Sequence, residues 1–256
     1  MFTRRKLIFA LSLALSLASA EAGPLLYVVT LTGQFGVVDP STGAFQQIGS
    51  TTTDPLGGLV QRRYQYVGIS ISGNLDAVRP ATGAISVIGP TGLGSNALDT
   101  AELNGQVYAT DFGNNLYTID TETGAATLIG YTGIPPAPTE TDVVCDEALF
   151  SANGKMYATF DAFNVTTLAV VIPPELYAID PATGMATPIA PTTLHLNAAV
   201  DAGGTVYAFQ AQPATFTSDA LTLDVATGET TLLAPVNPAA ALIDGAAVAR
   251  RLQGDR

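Results

Sequence analysis

Positive charge is scarce in this sequence: 10 lysines and arginines stand against 22 aspartates and glutamates over 256 residues. Three of the ten, Arg4, Arg5 and Lys6, crowd the N-terminus, so a chain lacking residues 1–20 carries 7 basic against 22 acidic groups. Such a surface repels phosphate backbones and anionic lipid, which argues against nucleic-acid and membrane-surface binding. Cysteine occurs once, as Cys145, so no intramolecular disulfide can form. It lies in the apolar stretch 143–150 and reads as a buried structural thiol, because reactivity needs exposure and a cationic neighbour. Histidine also occurs once, as His195, and no nucleophile motif accompanies it. Beyond the first twenty residues no hydrophobic run is long enough to span a bilayer, so no membrane anchor is expected.

Those twenty residues read as a signal peptide. Arg4, Arg5 and Lys6 form a basic start, 7–17 an apolar run, and Ala18-Ser19-Ala20 a small-residue cleavage site. Cleavage is expected after Ala20, and with no cysteine following it a lipid anchor is not. Thr3-Arg4-Arg5-Lys6-Leu7-Ile8 loosely resembles the twin-arginine export motif; an ordinary basic start is the other reading. Either route makes the mature chain, 21–256, secreted or periplasmic.

The mature chain is organised by five copies of one phrase: tyrosine, apolar strand, Asp-Pro-x-Thr-Gly, apolar strand, Ile-Gly. The turns are Asp39-Pro40-Ser41-Thr42-Gly43, Arg79-Pro80-Ala81-Thr82-Gly83, Asp120-Thr121-Glu122-Thr123-Gly124, Asp180-Pro181-Ala182-Thr183-Gly184 and Asp224-Val225-Ala226-Thr227-Gly228. Their glycines fall 40, 41, 60 and 44 residues apart. A period of this length holding several short strands is the mark of a β-propeller, one repeat per blade.

The copy at 96–130 divides into four strands, A (97–103), B (106–111), C (116–120) and D (125–129). Asn104-Gly105 between A and B accepts the positive φ angles of a two-residue hairpin, as do Asn153-Gly154 and Gly203-Gly204 in later copies. In the C–D turn Asp bonds amides ahead of it, Pro presets φ and Gly takes the left-handed position. Small residues such as Gly57-Gly58 and Ala198-Ala199 place A innermost, where blades crowd at the axis. Pro188 in a D segment marks the outer edge. Tyr27, Tyr66, Tyr108, Tyr157 and Tyr207 share one B position and read as repeated packing. The mature chain begins with a B strand (25–31) and ends with an A strand (242–250), so the last strand completes the first blade. The expected fold is all-β: a single closed five-bladed β-propeller of four-stranded antiparallel blades, with a monomer expected.

The phrases Leu116-Tyr117-Thr118-Ile119-Asp120 and Leu176-Tyr177-Ala178-Ile179-Asp180, each followed by Thr-Gly and an Ile-Gly or Ile-Ala ending, resemble the repeats of secreted bacterial propellers. These are loosely similar to quinoprotein-like, NHL-type and YVTN-type propellers. The resemblance implies architecture and leaves activity open, since fold does not fix function. Pyrroloquinoline-quinone dehydrogenases carry tryptophan docking motifs, and tryptophan is absent from this chain, which also sets aside the tryptophan-aspartate and Asp-box propellers.

In such a blade the B–C and D–A loops share one rim, and the A–B and C–D connections share the other. Length variation falls on the first: the D–A loop 131–141, the B–C excursion 162–174 and the segment 211–218. Variable loops on a rigid scaffold favour that rim as the binding face. An Asp or Asn also stands at the start of each A strand: Asp54, Asn96, Asp142, Asn197 and Asp244. Converging at the channel mouth, these five could hold a small polar ligand or a hard cation such as Ca²⁺; the competing reading is local capping of the preceding loop. His195 lies two residues before Asn197, as a candidate general base or a solvated loop residue. Asp146-Glu147 could supply a carboxylate pair, but neighbours on a strand point to opposite faces. Arg62-Arg63 and Arg250-Arg251 end A strands on the other rim, as solvated ends or a patch for an acidic partner.

The leading reading is an exported binding or scaffold propeller that holds a protein, peptide or small polar ligand at the variable rim and channel mouth. The apolar excursion 165–174 is its expected contact element. The alternative is a hydrolase or lactonase-like enzyme using a metal held at the mouth by Asp54, Asp142 or Asp244.

Overall fold

Four strands joined by tight turns can bury their apolar faces only against a second such sheet, and this chain solves the problem by repetition. The computed structural model describes residues 23–135, 143–164, 166–167, 169–192, 194–212, 215–237 and 242–249, at 143–146 for the backbone alone. The leader, Asp142, Val165 and Arg250-Arg251 lie outside the described residues. Within them, twenty strands form five four-stranded antiparallel sheets, the blades of a β-propeller.

Blade 1 is ordered β20-β1-β2-β3 from the axis outward, with β1 Leu26–Thr30, β2 Phe35–Asp39, β3 Ala44–Gln47 and β20 Ile243–Val248. Blade 2 holds β4 Leu56–Arg62, β5 Gln65–Ser70, β6 Asn74–Arg79 and β7 Ala84–Pro90. Blade 3 holds β8 Ala97–Leu103, β9 Gln106–Asp111, β10 Asn115–Ile119 and β11 Ala126–Tyr131. Blade 4 is the longest, with β12 Val143–Ala152, β13 Lys155–Asn164, β14 Val170–Ile179 and β15 Ala186–Pro191. Blade 5 holds β16 Leu196–Ala202, β17 Thr205–Gln212, β18 Thr217–Leu223 and β19 Thr230–Pro235. The inner strands β20, β4, β8, β12 and β16 touch in that order and β16 returns to β20. The ring is therefore closed, by pairing of the C-terminal β20 with β1. Tyr66 of blade 2 reinforces this closure by donating its hydroxyl to the Val248 carbonyl at 2.7 Å.

The apolar side chains do not gather in one central core. Five layers fill the five seams, for example Val29, Phe35, Leu56, Leu59, Tyr66, Val78 and Ala247 between blades 1 and 2. The equivalent layer between blades 4 and 5 holds Phe150, Tyr157, Leu176, Ala199, Leu221 and Leu223. The B-position tyrosines sit in or against these layers, and Tyr27 meets Tyr66 with ring centroids 4.9 Å apart.

The repeated phrase has a role at these seams that goes beyond turn chemistry. At each turn the glycine has φ between +66° and +86°, and its N–H donates to the carbonyl of the residue four earlier, as from Gly124 to Asp120 at 2.7 Å. The Asp carboxylates of four turns accept the amide two residues ahead. Hydrogen bonds at the turns hold the carboxyls of Asp39, Asp120 and Asp180 below the ordinary range. The cause in Asp120 and Asp180 is chiefly the backbone amide of Glu122 and Ala182, and in Asp39 the Ser41 hydroxyl.

Each turn also receives the end of the preceding blade's outer strand. A Cβ on Gly89 would lie 2.2 Å from the Thr123 carbonyl oxygen, and one on Gly130 would lie 2.4 Å from that of Thr183. Gly49 meets Thr82-Gly83, Ala190 meets Gly228, and Ala234 with Pro235 meets Gly43, so all five seams repeat the contact. In blades 2 to 5 a β-bulge precedes it. The isoleucine before the small residue packs against the seam layer at Ile88, Ile129 and Ile189. Backbone bonds complete three of the clasps: Ala126 to Thr91 at 3.0 Å, Ala186 to Thr132 at 2.8 Å and Phe45 to Asn237 at 3.0 Å. Sheet twist explains the geometry, because it swings each outer strand toward the neighbouring blade.

Gly89→Ala should lower stability by about 2 kcal/mol, since overpacking a tight contact forces backbone shifts. Gly105→Ala is the control: φ there is +84° but nothing lies within 4 Å of the added Cβ. It should cost about 1 kcal/mol from backbone strain alone. Urea denaturation of both variants checks this, and a Gly89→Ala loss no larger than the control's would contradict the clasp.

Candidate functional site

The B–C and D–A loops build one rim, and this is where the blades differ. Strands β13 and β14 run ten residues each, and β17 and β18 also extend beyond the common length. In blades 1 to 3 the residue following the B strand is a large apolar one left in solvent: Leu31 is 43% exposed, Ile71 56% and Phe112 42%. Their amides donate to the carbonyls of Leu242, Pro55 and Asn96, each at 2.9 Å, which fixes all three beside the starts of inner strands. Blade 5 carries its strand through this point, with Ala211 donating to the His195 carbonyl, and places Phe216 at the loop tip, 71% exposed. Blade 4 adds exposed Val170 and Val171. Of the excursion expected at 165–174, residues 170–174 belong to the paired strand β14, with Ile172 turned against the blade 3/4 layer.

The B-position tyrosines give a register for the inner strands. Their partners are Gln61, Ala101, Phe150, Val200 and Ala247. Three residues before each stand Gly58, Leu98, Glu147, Asn197 and Asp244. Asn197 and Asp244 therefore share one level at the axis, and Glu147 shares it with them. Asp54 and Asn96 stand farther out. Asp54 accepts from the Ser72 amide at 3.1 Å and the Ser72 hydroxyl at 2.7 Å, which secures its own blade's B–C turn. Asn96 closes a 3-10 turn, Gly94–Asn96, and is exposed. Register irregularities at the start of β4, β8, β16 and β20 separate residues that look equivalent along the chain.

Two buried acids near the axis, Asp99 and Glu147, are the most perturbed groups, and sequence reasoning had assigned neither to the axis. Asp99 accepts the amides of Thr100 at 2.6 Å and Leu149 at 2.7 Å, tying blade 3 to blade 4. Burial raises its carboxyl well above the ordinary range, and the charges of Glu147 and Asp244 push the same way. Glu147 is pushed up to about 8, first by burial and then by the charge of Asp111. The Thr110 hydroxyl beside it offsets part of the rise without reaching good hydrogen-bond geometry, and Oε2 has no hydrogen-bond partner among the described residues. On the opposite face of blade 4, His195 Nδ1 meets Asp161 Oδ1 at 2.6 Å, and its ring tilts on Phe163 with centroids 4.7 Å apart. Asp161 is 1% exposed; burial raises its carboxyl and the His195 bond counteracts the rise. The signal that could have found the pair is the spacing of Asp161 and Phe163 on one face of β13 toward the loop that carries His195. Of the carboxylate pair 146–147, only Glu147 has a described side chain.

A cavity of about 350 Å³ opens on the other rim. Its walls include Val60, Ala101, Leu149, Phe150, Ala199 and Ala246, with Asn104 and Asn153-Gly154 at the hairpin turns. At the acid level neighbouring inner strands are in tight contact: a Cβ on Gly245 would lie 2.4 Å from the Gly58 backbone, and one on Gly57 2.7 Å from the Leu98 carbonyl oxygen. Arg62 and Arg63, which also stand on this rim, engage blade 3 through Thr121 at 3.0 Å and Glu122 at 3.5 Å.

Among the described residues no three histidine, cysteine, aspartate or glutamate side chains are grouped as metal ligands. Asp142, a member of the expected ring, lies outside those residues. Comparison with protein-family models and with curated proteins finds no match. Among solved structures, a structural-genomics protein of unknown function from Bacteroides thetaiotaomicron is similar, with a TM-score of 0.54 at 16% identity. The alignment covers 84% of this chain and 59% of that one, so the present chain spans under two thirds of the similar protein's length. At this identity the likeness shows the fold alone.

The buried acids make stability depend on pH. Glu147 keeps a proton in the folded chain that it releases in the unfolded one at ordinary carboxylate pH. Folding therefore binds a proton, and stability falls as pH rises from about 4.5 to about 8. Asp99 acts in the same direction. Chemical denaturation across roughly pH 5 to 8.5 should show a loss on the order of 3 kcal/mol, much of it absent in Glu147→Gln. A wild-type profile that is flat or rises with pH would contradict this assignment.

Proposed function

We propose that this chain is an exported binding or scaffold propeller that engages a protein or peptide on its loop-bearing rim. The observation that carries the reading is the set of solvent-exposed apolar residues at one register, Leu31, Ile71 and Phe112, supplemented by Phe216 and by Val170 with Val171. Scattered exposed apolar residues need no explanation, but side chains repeated at one level around a channel mouth form a surface that water wets poorly. Burying three such residues against a partner is worth a few kcal/mol, about 1 to 2 for each. The basic N-terminus, apolar run and Ala18-Ser19-Ala20 support export, and the acidic composition suits an extracellular solute. The Asp161–His195 pair supports a structural role equally well, because it joins the extended blade 4 hairpin to the loop leading into blade 5.

Selection of random displayed peptides on immobilised 21–256 tests the proposal. Binders should be recovered, and their affinity for the triple variant Leu31→Ser, Ile71→Ser, Phe112→Ser should fall at least about tenfold, the equivalent of ~1.4 kcal/mol. Because all three residues are exposed, the variant's thermal midpoint should stay within a few degrees of wild type. Binders indifferent to the triple variant would overturn the assignment of this rim.

A further inference from the structure

Both rims carry carboxylates, those of Asp39, Asp120, Asp180 and Asp224 standing at the C–D turns, but the rims differ in their cations, and this bears on what the exposed apolar residues meet. Across the whole sequence, the segments between B and C strands and between D and A strands contain no lysine and no arginine. The four described cations all lie at the other end of the blades. Arg62 ends β4, Arg63 follows it, Lys155 begins β13 and Arg79 ends β6. Carboxylates do occupy the loop rim: Asp54 precedes β4, Asp111 ends β9, Asp219 lies near the start of β18, and Asp244 follows Ile243 at the start of β20.

Three of these carboxylates accept hydrogen bonds from neutral donors. Asp54 is bonded by Ser72, Asp111 by Asn115 and Tyr117, and Asp219 by Gln212. Hydrogen bonds of this kind orient a carboxylate without cancelling its charge, so the negative field extends beyond the rim. A cleft rimmed by one sign of charge over low-dielectric walls concentrates that field and attracts the opposite sign. Here the apolar side chains of Leu31, Ile71 and Phe112 stand among the carboxylates. The surface therefore complements a segment that offers apolar side chains interspersed with cations, and it rejects an acidic one by like-charge repulsion.

We infer that the partner of the loop rim is a basic, apolar peptide segment, its hydrophobic side chains resting on Leu31, Ile71 and Phe112 and its lysines or arginines facing Asp54, Asp111 and Asp219. This rests on the binding reading of the rim given above and specifies the chemistry of the occupant. Long basic side chains suit the arrangement because their methylene stems cover apolar surface while the charged head reaches a carboxylate.

The test uses 21–256 and three labelled synthetic peptides of equal length in fluorescence anisotropy. One alternates leucine and lysine, the second leucine and glutamate, and the third serine and lysine. The leucine–lysine peptide should bind, and its affinity should fall at least about tenfold in the Leu31→Ser, Ile71→Ser, Phe112→Ser variant. Asp54→Asn combined with Asp219→Asn should weaken it about three- to tenfold at low salt, and raising the salt should weaken the wild type in the same sense. The other two peptides should bind at least about tenfold less tightly. Equal, apolar-residue-dependent binding of the leucine–glutamate peptide would overturn the basic assignment while leaving the rim as a binding surface. Leucine–lysine binding unchanged in the triple variant would show attraction to net negative charge alone and overturn the inference. Failure of every peptide to depend on Leu31, Ile71 and Phe112 would remove the rim reading itself and this inference with it.

Discussion

Everything in this molecule depends on how the outer end of one blade meets the outer turn of the next. A four-stranded sheet has two apolar faces and two exposed edges, and in isolation neither is tolerable in water. Here each face is covered by a neighbouring blade, and the twist of the sheet brings the end of each D strand onto the Thr-Gly turn that follows it around the ring. The small residue in the Ile-Gly or Ile-Ala ending admits the neighbour's backbone, while the isoleucine fills the layer beneath. The bulge before it kinks the exposed edge, which also discourages edge-to-edge association. One phrase therefore shapes a hairpin, seals a seam and protects an edge, which is reason enough for its five appearances.

Because the seams are built from these turns and from the layers between blades, the opposite loops are free to differ. That freedom is used unevenly. Blades 1 to 3 keep short B–C turns and place an apolar residue at each, whereas blades 4 and 5 prolong their central strands. Around the axis, glycines at 57, 58 and 245 let the inner strands of blades 1 to 3 approach closely, and Asp99 bonds across to the blade 4 backbone. Burial raises the carboxyls of Asp99 and Glu147, that of Glu147 to about 8, so Glu147 holds its proton near neutrality and this level of the axis is less negative than its composition suggests. The outward-acting charge lies farther out, beside the exposed apolar side chains.

Much of the architecture was legible in the sequence, because the signals are local and repeated. Turn residues, the five tyrosines and the placement of small residues gave the blade count, the strand order and the closure by the C-terminal strand. In blade 3 the expected A and B strands coincide with β8 and β9. The clasp was not legible, since the turn's hydrogen bonds already accounted for Asp, Thr and Gly and nothing local shows that twist carries another blade to them. Equal spacing to the strand starts suggests a ring of Asp54, Asn96, Asp142, Asn197 and Asp244, and bulges change that spacing. They leave Asn197 and Asp244 at the level of Glu147, with Asp54 holding a turn instead. The pairing of Asp161 with His195 joins residues 34 apart across a seam, a distance that no local pattern spans. The exposure of the large apolar residues after the B strands is a property of the assembled rim, which no local pattern reveals.

The clasp is tested most directly by amide hydrogen exchange at Phe45, Ala126 and Ala186. These amides lie on outermost strands, whose free edges would otherwise exchange with solvent, and here they donate to the preceding blade at 2.8 to 3.0 Å. If the seams hold the ring together, all three should be protected to a degree near that of the paired inner strands, and opening should require loss of the whole ring. Exchange at the rate of an open sheet edge, with the inner strands still protected, would show that the blades stand together without the clasp and would contradict the account.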